Sequence, residues 1–321
     1  MIGRQRNAPE DDIRSGAVML MTYGSPASLA NADVRTYLGR VRGGREPSDE
    51  LVAEFARRYR LVGGSPLISI TRAQADALEA RLGVPAAIGM RFSDPTIEAG
   101  LGELARRGGH NVAAIVLSPQ FSPLLMGGYA TAVDAGRAAL GPGAPNVVLA
   151  DAWHTEPRFI EALATRVREA RARLAMEGFR DPAVLMTAHS LPRNVAEREP
   201  AYLAQLRETA EAVATAAGLN STAWRFCWQS AGHEPGDWMK PDFSDLMPEL
   251  AAAGRSAVVV VPVQFLADHL EVLYDVDVAA REQAERHGLR FERIVSLNAD
   301  GGLIEALARV ARRTLLGRST A

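Results

Sequence analysis

The sequence predicts an α/β fold of two domains, each a parallel four-stranded sheet flanked by helices, with a cleft between them. Three patterns predict it. Short continuous apolar runs recur along the 321 residues, amphipathic stretches separate them, and the second half repeats the plan of the first. Continuous apolar runs of strand length suit strands covered on both faces, and helices between such strands imply right-handed βαβ crossovers.

In chain order, the first four strand candidates are "AVMLMTY" (17–23), "AAIGM" (86–90), "VAAIVLS" (112–118) and "NVVLA" (146–150). The second four are "AVLMTAH" (183–189), "WRFCWQ" (224–229), "AVVVVPV" (257–263) and "RIVSL" (293–297). Segments such as "TRAQADALEARLG" and "PRFIEALATRVREARARLAMEG" carry apolar residues at helical spacing. "AVMLMTYGSP" and "AVLMTAHSLP" align from their shared Ala-Val to their proline, which sets Tyr23 opposite His189. "SPQFSP" and "PVQFLA" likewise share Gln-Phe after a strand. A repeat this long indicates duplicated domains rather than a solenoid. The expected division is 1–150 and 151–301, with a last helix over 302–321 packing back on the first domain.

Composition narrows the function. The chain is 47% hydrophobic and 23% charged with a net charge of −2, so it can build a core and presents no basic footprint for nucleic acid. Lys240 is the only lysine, so a lone arginine marks nothing special here. Cys227 is the only cysteine, which rules out an internal disulfide and a cysteine-ligated iron–sulfur cluster. The opening "MIGRQRNAPEDDIRSG" has no apolar segment of a secretory leader, and no apolar run reaches transmembrane length. A cytoplasmic protein is expected.

Ligands of open parallel sheets bind beyond the carboxyl ends of the strands, where Tyr23, His189, "SPQFSP" and "DHLEVLYD" all fall. If "DHLEVLYD" opens a helix, Asp268, Glu271 and Asp275 share one face. That face is either a solvated surface with Asp268 as the N-cap, or a carboxylate group handling protons or a cation. His189 is either structural or catalytic by the same logic. His110, His154, His233, His269 and His287 show no metal-binding spacing, and His269 reads as structural. "RGGREP", "VGGSPL" and "MGGYA" match neither phosphate-loop nor dinucleotide patterns, and no nucleophile elbow appears.

Several ordered segments together resemble the ferrochelatases over most of the chain: "VGGSPL", "LSPQFSP", "TAHSLP", "WQSAGHEPGDWMKPD" and "VPVQFLADHLEVLYDVD". The resemblance implies two Rossmann-like domains of the type II chelatase kind. It also implies insertion of ferrous iron into a porphyrin in haem biosynthesis, with no organic cofactor. His189 and Glu271 correspond to the metal-handling and proton-accepting pair, with Asp268 and Asp275 as a relay. Tyr23 corresponds to the tyrosine that can ligate product iron in enzymes of Gram-positive type, which favours coproporphyrin III over protoporphyrin IX. Arg42, Arg58, Tyr59, Ser65 and Tyr129 match positions contacting the macrocycle or its propionates, and Leu124, Leu125 and Met126 can line its faces. Gln264 stands where the family usually has glycine, and Ala279 where many members carry a further glutamate. The expected partners are a porphyrin and ferrous iron, with the chain acting as a monomer. The alternatives are another porphyrin, another metal such as cobalt, or a non-catalytic haem carrier.

Overall fold

The computed structural model describes residues 13, 15–232 and 236–317. Most of the polar amino-terminal stretch, His233, and the tip of the expected last helix at 318–321 lie outside the described residues.

The first sheet contains β1 (Gly16–Thr22), β2 (Ala86–Met90), β3 (Asn111–Val116) and β4 (Asn146–Leu149), in the order β2-β1-β3-β4. The second contains β5 (Ala183–His189), β6 (Trp224–Gln229), β7 (Ala257–Pro262) and β8 (Arg290–Arg293), in the order β6-β5-β7-β8. Every pair is parallel. The two orders are the same once each strand of the first sheet is matched with its counterpart four strands later, so the repeat seen in the sequence is a repeat of topology.

Helices α1 (Asn31–Val41), α2 (Asp49–Leu61) and α3 (Leu67–Leu82) join β1 to β2. α4 (Ile97–Arg106) and α5 (Pro123–Leu140) complete the first half, and α6 (Pro157–Met176) leads to the second. There, α7 (Arg193–Ala196) and α8 (Pro200–Ala216) precede β6, and α9 (Phe243–Ala252) precedes β7. A π-helix over Glu271–Ala280 runs directly into α10 (Arg281–Arg286), and α11 (Gly301–Leu315) closes the described chain.

The central strands β1 and β7 are buried along their whole lengths, as their unbroken apolar runs require. Each fully buried valine of β7 stabilises the fold by about 1.5–3 kcal/mol relative to exposure. One core runs through both halves, joining Val18 and Leu20 of β1, Val184 and Met186 of β5, and Leu303 and Leu307 of α11. α11 crosses back to pack on α3, β3 and β4 as well as on α6. Arg313 of α11 pairs there with the buried carboxylate of Glu156 at the start of α6.

The eighth strand departs from expectation. It lies at Arg290–Arg293 rather than over 293–297, pairing on one side with β7. As an edge strand it buries only Phe291 fully, so its charged sequence conceals it from a search for apolar runs. No helix among the described residues is long and apolar enough to cross a membrane.

Candidate active site

In each half the strand order reverses between the two central strands, and folds of this kind bind ligands beside the loops that leave the carboxyl ends of those strands. β1 and β3 release Tyr23 and the 117–122 loop, while β5 and β7 release His189 and the 263–270 loop.

His189 is the last residue of β5, and its ring is held by a 2.6 Å contact between Nδ1 and the Ser190 carbonyl. Because a carbonyl only accepts, Nδ1 carries the proton, and neutral imidazole then has its lone pair on Nε2. Nε2 lies 3.9 Å from Glu271 Oε1. His269 reaches the same carboxylate from the other side, with Nε2 3.6 Å from Glu271 Oε2 and Nδ1 2.8 Å from the Ala267 carbonyl. Glu271 therefore sits between two imidazoles. Desolvation in the protein interior raises its pKa, but His189 and His269 outweigh that and hold it at about 2. In turn, desolvation pulls His269 down, and Glu271 more than offsets this, leaving His269 raised. The carboxylate still keeps 39% of its surface exposed, as expected for a group packed in a concave wall but open to the crevice.

The local helix explains this placement and corrects the expected one-face arrangement. The helical chain begins at Leu270 and proceeds from Glu271 as a π-helix, so Asp268 and His269 precede it. Val272, Val276 and Ala280 point into the core, and Glu271 and Asp275 share the adjoining face. Such wide turns are rare and recur at functional sites. His269, expected to be structural on a separate helix face, is free to swing to Glu271 because it lies in the loop. Asp268 is drawn elsewhere. Its oxygens accept from Ser296 Oγ at 2.7 Å and Asn298 Nδ2 at 3.0 Å, and Arg293 lies at 3.2 Å. Arg293 also forks onto Asp277 at 2.7 and 2.8 Å, so Asp268 belongs to a loop-bracing network beside the site.

Asp275 is the second acidic group on the site face. Desolvation raises its pKa, and the neighbouring Glu271 charge adds to that against the attraction of Arg58. Arg58 of α2 contacts Asp275 at 3.4 Å, bonds Glu54 at 2.8 Å, and lies 4.5 Å from the Tyr274 ring. The beginning of the π-helix thus packs on α1 and α2 of the other half, with Leu270 and Tyr274 joining Val34, Leu38 and Tyr59 in one cluster.

Tyr23 follows β1 on the opposite wall, 44% exposed. Gly24 behind it has φ of 91°, and a Cβ there would stand 2.1 Å from Ser93 Oγ, so glycine alone allows this turn. The crowding of that wall raises the Tyr23 phenol; Arg91 opposes the shift and Glu271 reinforces it. Tyr129 of α5 is buried and backs Tyr23 edge-on at 6.2 Å. The Arg91 guanidinium lies 6.0 Å from the Tyr23 ring and 5.3 Å from that of Tyr129, and it fits only because residue 128 has no Cβ to collide with it. Arg91 is missing from the expected residues, although it directly follows β2 and so obeys the strand-end rule that singled out Tyr23.

The other expected residues differ in their surroundings. Tyr59 is buried, and desolvation raises its phenol with Glu271 adding to the effect. Tyr37, also raised chiefly by burial, donates to the Gly24 carbonyl at 3.1 Å. Ser65 Oγ accepts from the Leu67 N–H at 3.4 Å, and Arg42 ends α1 with its N–H on the Leu38 carbonyl. Leu124 is exposed, Met126 is buried, and Leu125 packs against the cluster around Trp228. Phenols from the first half and the carboxylate from the second therefore converge on one place.

The ferrochelatase family model matches residues 15–315. The chain belongs to the ferrochelatase family. It is 37% identical to a ferrochelatase of Deinococcus radiodurans, over 92% of this chain and 95% of that one. Coproporphyrin III ferrochelatases of a Geobacillus strain and of Bacillus subtilis are 35% and 34% identical, each across 93% of this chain and 97% of their own. Among solved structures, SirB from Bacillus subtilis with Fe3+ superposes with a TM-score of 0.56 over 94% of this chain and 95% of that one. At 11% identity that likeness establishes the chelatase-type fold of this ferrochelatase family member and nothing finer.

Proposed function

We propose that this ferrochelatase family member inserts ferrous iron into coproporphyrin III in haem biosynthesis, in the cytoplasm. The single observation that supports the reading most is the convergence of His189 Nε2 and Glu271 at 3.9 Å, opposite Tyr23, in the crevice between the two sheets. The reaction exchanges Fe²⁺ for the two protons on the porphyrin's central nitrogens, so two protons must leave as the metal enters. No electron changes hands, and no organic cofactor or iron–sulfur cluster is called for.

The assignments follow from proton affinity. Glu271 is the persistent negative charge of the pair, because, against desolvation by burial, positive charge on the flanking His189 and His269 lowers its pKa. His189 Nε2 is the acceptor in this reading, since Nδ1 is engaged with the Ser190 carbonyl and the ring's lone pair lies on Nε2. Glu271 then stabilises the imidazolium and attracts Fe²⁺, a borderline cation suited to mixed nitrogen and oxygen donors. Asp275, its pKa raised chiefly by burial, is the next acidic group on the same helix face and is the relay in this reading. Asp268, with both oxygens already engaged, serves that relay indirectly by fixing its loop. Binding of propionates by Arg42 and Arg58 and of the ring by the tyrosine-lined wall supplies the energy to hold a non-planar macrocycle.

Anaerobic insertion of Fe²⁺, followed by loss of free-porphyrin absorbance, tests the reading. Coproporphyrin III is expected to turn over with the higher kcat/KM, and a preference for protoporphyrin IX reverses the substrate assignment. Faster insertion of Co²⁺ replaces the metal, and tight haem binding without insertion establishes a carrier. Tyr23 gives a separate test. Tyr23→Leu is expected to change the visible spectrum of bound product haem while leaving the thermal midpoint nearly unchanged. An unaltered spectrum removes Tyr23 as a ligand of product iron.

A further inference from the structure

Gln264 occupies the first turn after β7 and bonds in two directions. Its Oε1 accepts the His189 N–H at 2.8 Å, and its Nε2 donates to Tyr202 Oη at 2.7 Å. Tyr202 is 1% exposed within α8, so the far end of this bridge is anchored in the core. The amide orientation is dictated by the main chain, because an N–H can be met only by the carbonyl end of glutamine.

The pairing of β5 with β7 explains why a side chain is needed there. The ladder ends with Thr187 opposite Pro262, and the Val263 N–H on the Thr187 carbonyl at 2.9 Å is its last rung. Alternation places the His189 N–H on the same side as Thr187, facing β7. A strand continuing in register would offer it the Val263 carbonyl, but β7 bends into its loop and the Gln264 amide supplies the acceptor instead. On the other side of β5, Ser190 N–H meets the Gln229 carbonyl at 2.7 Å. The backbone that carries His189 is thus held from both flanks at the point where both sheet ladders stop. The first half has a partial counterpart. Gln120, in the matching loop after β3, is buried where Gln264 is half-buried, and it too reaches α8, donating to Thr209 Oγ at 2.9 Å.

We infer that Gln264, braced by Tyr202, is a positioning residue: it extends the β5–β7 ladder by one rung and fixes the His189 backbone so that Nε2 points at Glu271. The inference rests on the proposed role of His189. It assigns Gln264 no contact with the substrate. An unheld strand end allows the imidazole to drift, and a displacement of about 1 Å can cost up to about 100-fold in rate.

The test compares the full-length wild type with Gln264→Leu, Gln264→Glu and Tyr202→Phe. Its first readout is amide-proton exchange at His189 by NMR, which requires no turnover. Its second is kcat and porphyrin KM at saturating Fe²⁺. Gln264→Leu is expected to lose protection at His189 and to lower kcat about tenfold with porphyrin KM within about twofold. Gln264→Glu keeps an acceptor for the His189 N–H and can accept from the Tyr202 hydroxyl, so it is expected to restore protection and most of kcat. Tyr202→Phe, which removes one oxygen, is expected to lower both partially, and it decides the matter should Gln264→Leu fail to fold. Unchanged protection in Gln264→Leu and Tyr202→Phe overturns the clamp, and lost protection with wild-type kcat overturns the positioning role. If the wild type inserts no metal, the proposed function fails while the exchange measurement still decides the clamp.

Discussion

Replacing His189 with alanine is expected to abolish metal insertion while porphyrin binding stays within a few-fold of wild type. General base catalysis contributes about 10²–10⁴-fold, and the loss should reach the upper part of that range because neither neighbouring group can take over. Glu271 stays paired with His269, whose ring is itself committed to that carboxylate and to the Ala267 carbonyl. On the proposed reading porphyrin is held mainly by the wider walls, among them Tyr23 and the 117–122 loop, which the substitution leaves alone. The measurement pairs a fluorescence titration of porphyrin with the insertion assay. Turnover near the wild-type rate in His189→Ala removes the histidine from the centre of the mechanism.

Glu271→Gln is expected to lower kcat by about 100-fold and to raise KM for Fe²⁺, with the fold intact. The amide matches the carboxylate in shape but takes away the charge lying 3.9 Å from His189 and 3.6 Å from His269. The sign of a second effect follows directly. Desolvation pulls the His269 pKa down, and Glu271 is the chief influence raising it above the ordinary imidazole value. Removing an opposite charge disfavours the imidazolium, so the His269 midpoint moves down in Glu271→Gln. An NMR pH titration of the histidine ring protons reads that shift without any need for turnover. A His269 midpoint that stays fixed or rises shows that the carboxylate does not sit between the two rings.

Much of this site was written in the sequence because its residues obey a rule that depends only on topology. Tyr23 and His189 follow long apolar runs, and strands buried on both faces advertise themselves through such runs. The internal repeat by itself sets the two residues at equivalent positions. β8 stayed hidden for the opposite reason: an edge strand needs few buried side chains, and Arg290, Glu292 and Arg293 leave only Phe291 as a signal. The π-turn was invisible as well. Residue spacing in "DHLEVLYD" is compatible with an ordinary helix, and the wider geometry accompanies packing of Leu270 and Tyr274 against α1 and α2, a tertiary condition that local pattern does not record. His269 and Arg91 are illegible in the sequence for different reasons. His269 precedes a helix whose start the pattern does not mark, and Arg91 is one arginine among many. Gln264 was noticed as a departure from the family pattern, but its pairing with the His189 N–H depends on where the β5–β7 ladder stops, and register is not a property of either strand alone.

The return of α11 to the first half has a mechanical meaning. Because the polypeptide travels out through α6 and comes home through Asn298, whose carbonyl is grasped by Gln74 at 2.7 Å, two straps rather than one join the jaws. A single strap would let them swing apart like a door, whereas a pair resists both twisting and gaping. On the proposed reading, two straps would leave a flat macrocycle between the halves, rather than the halves themselves, to give way.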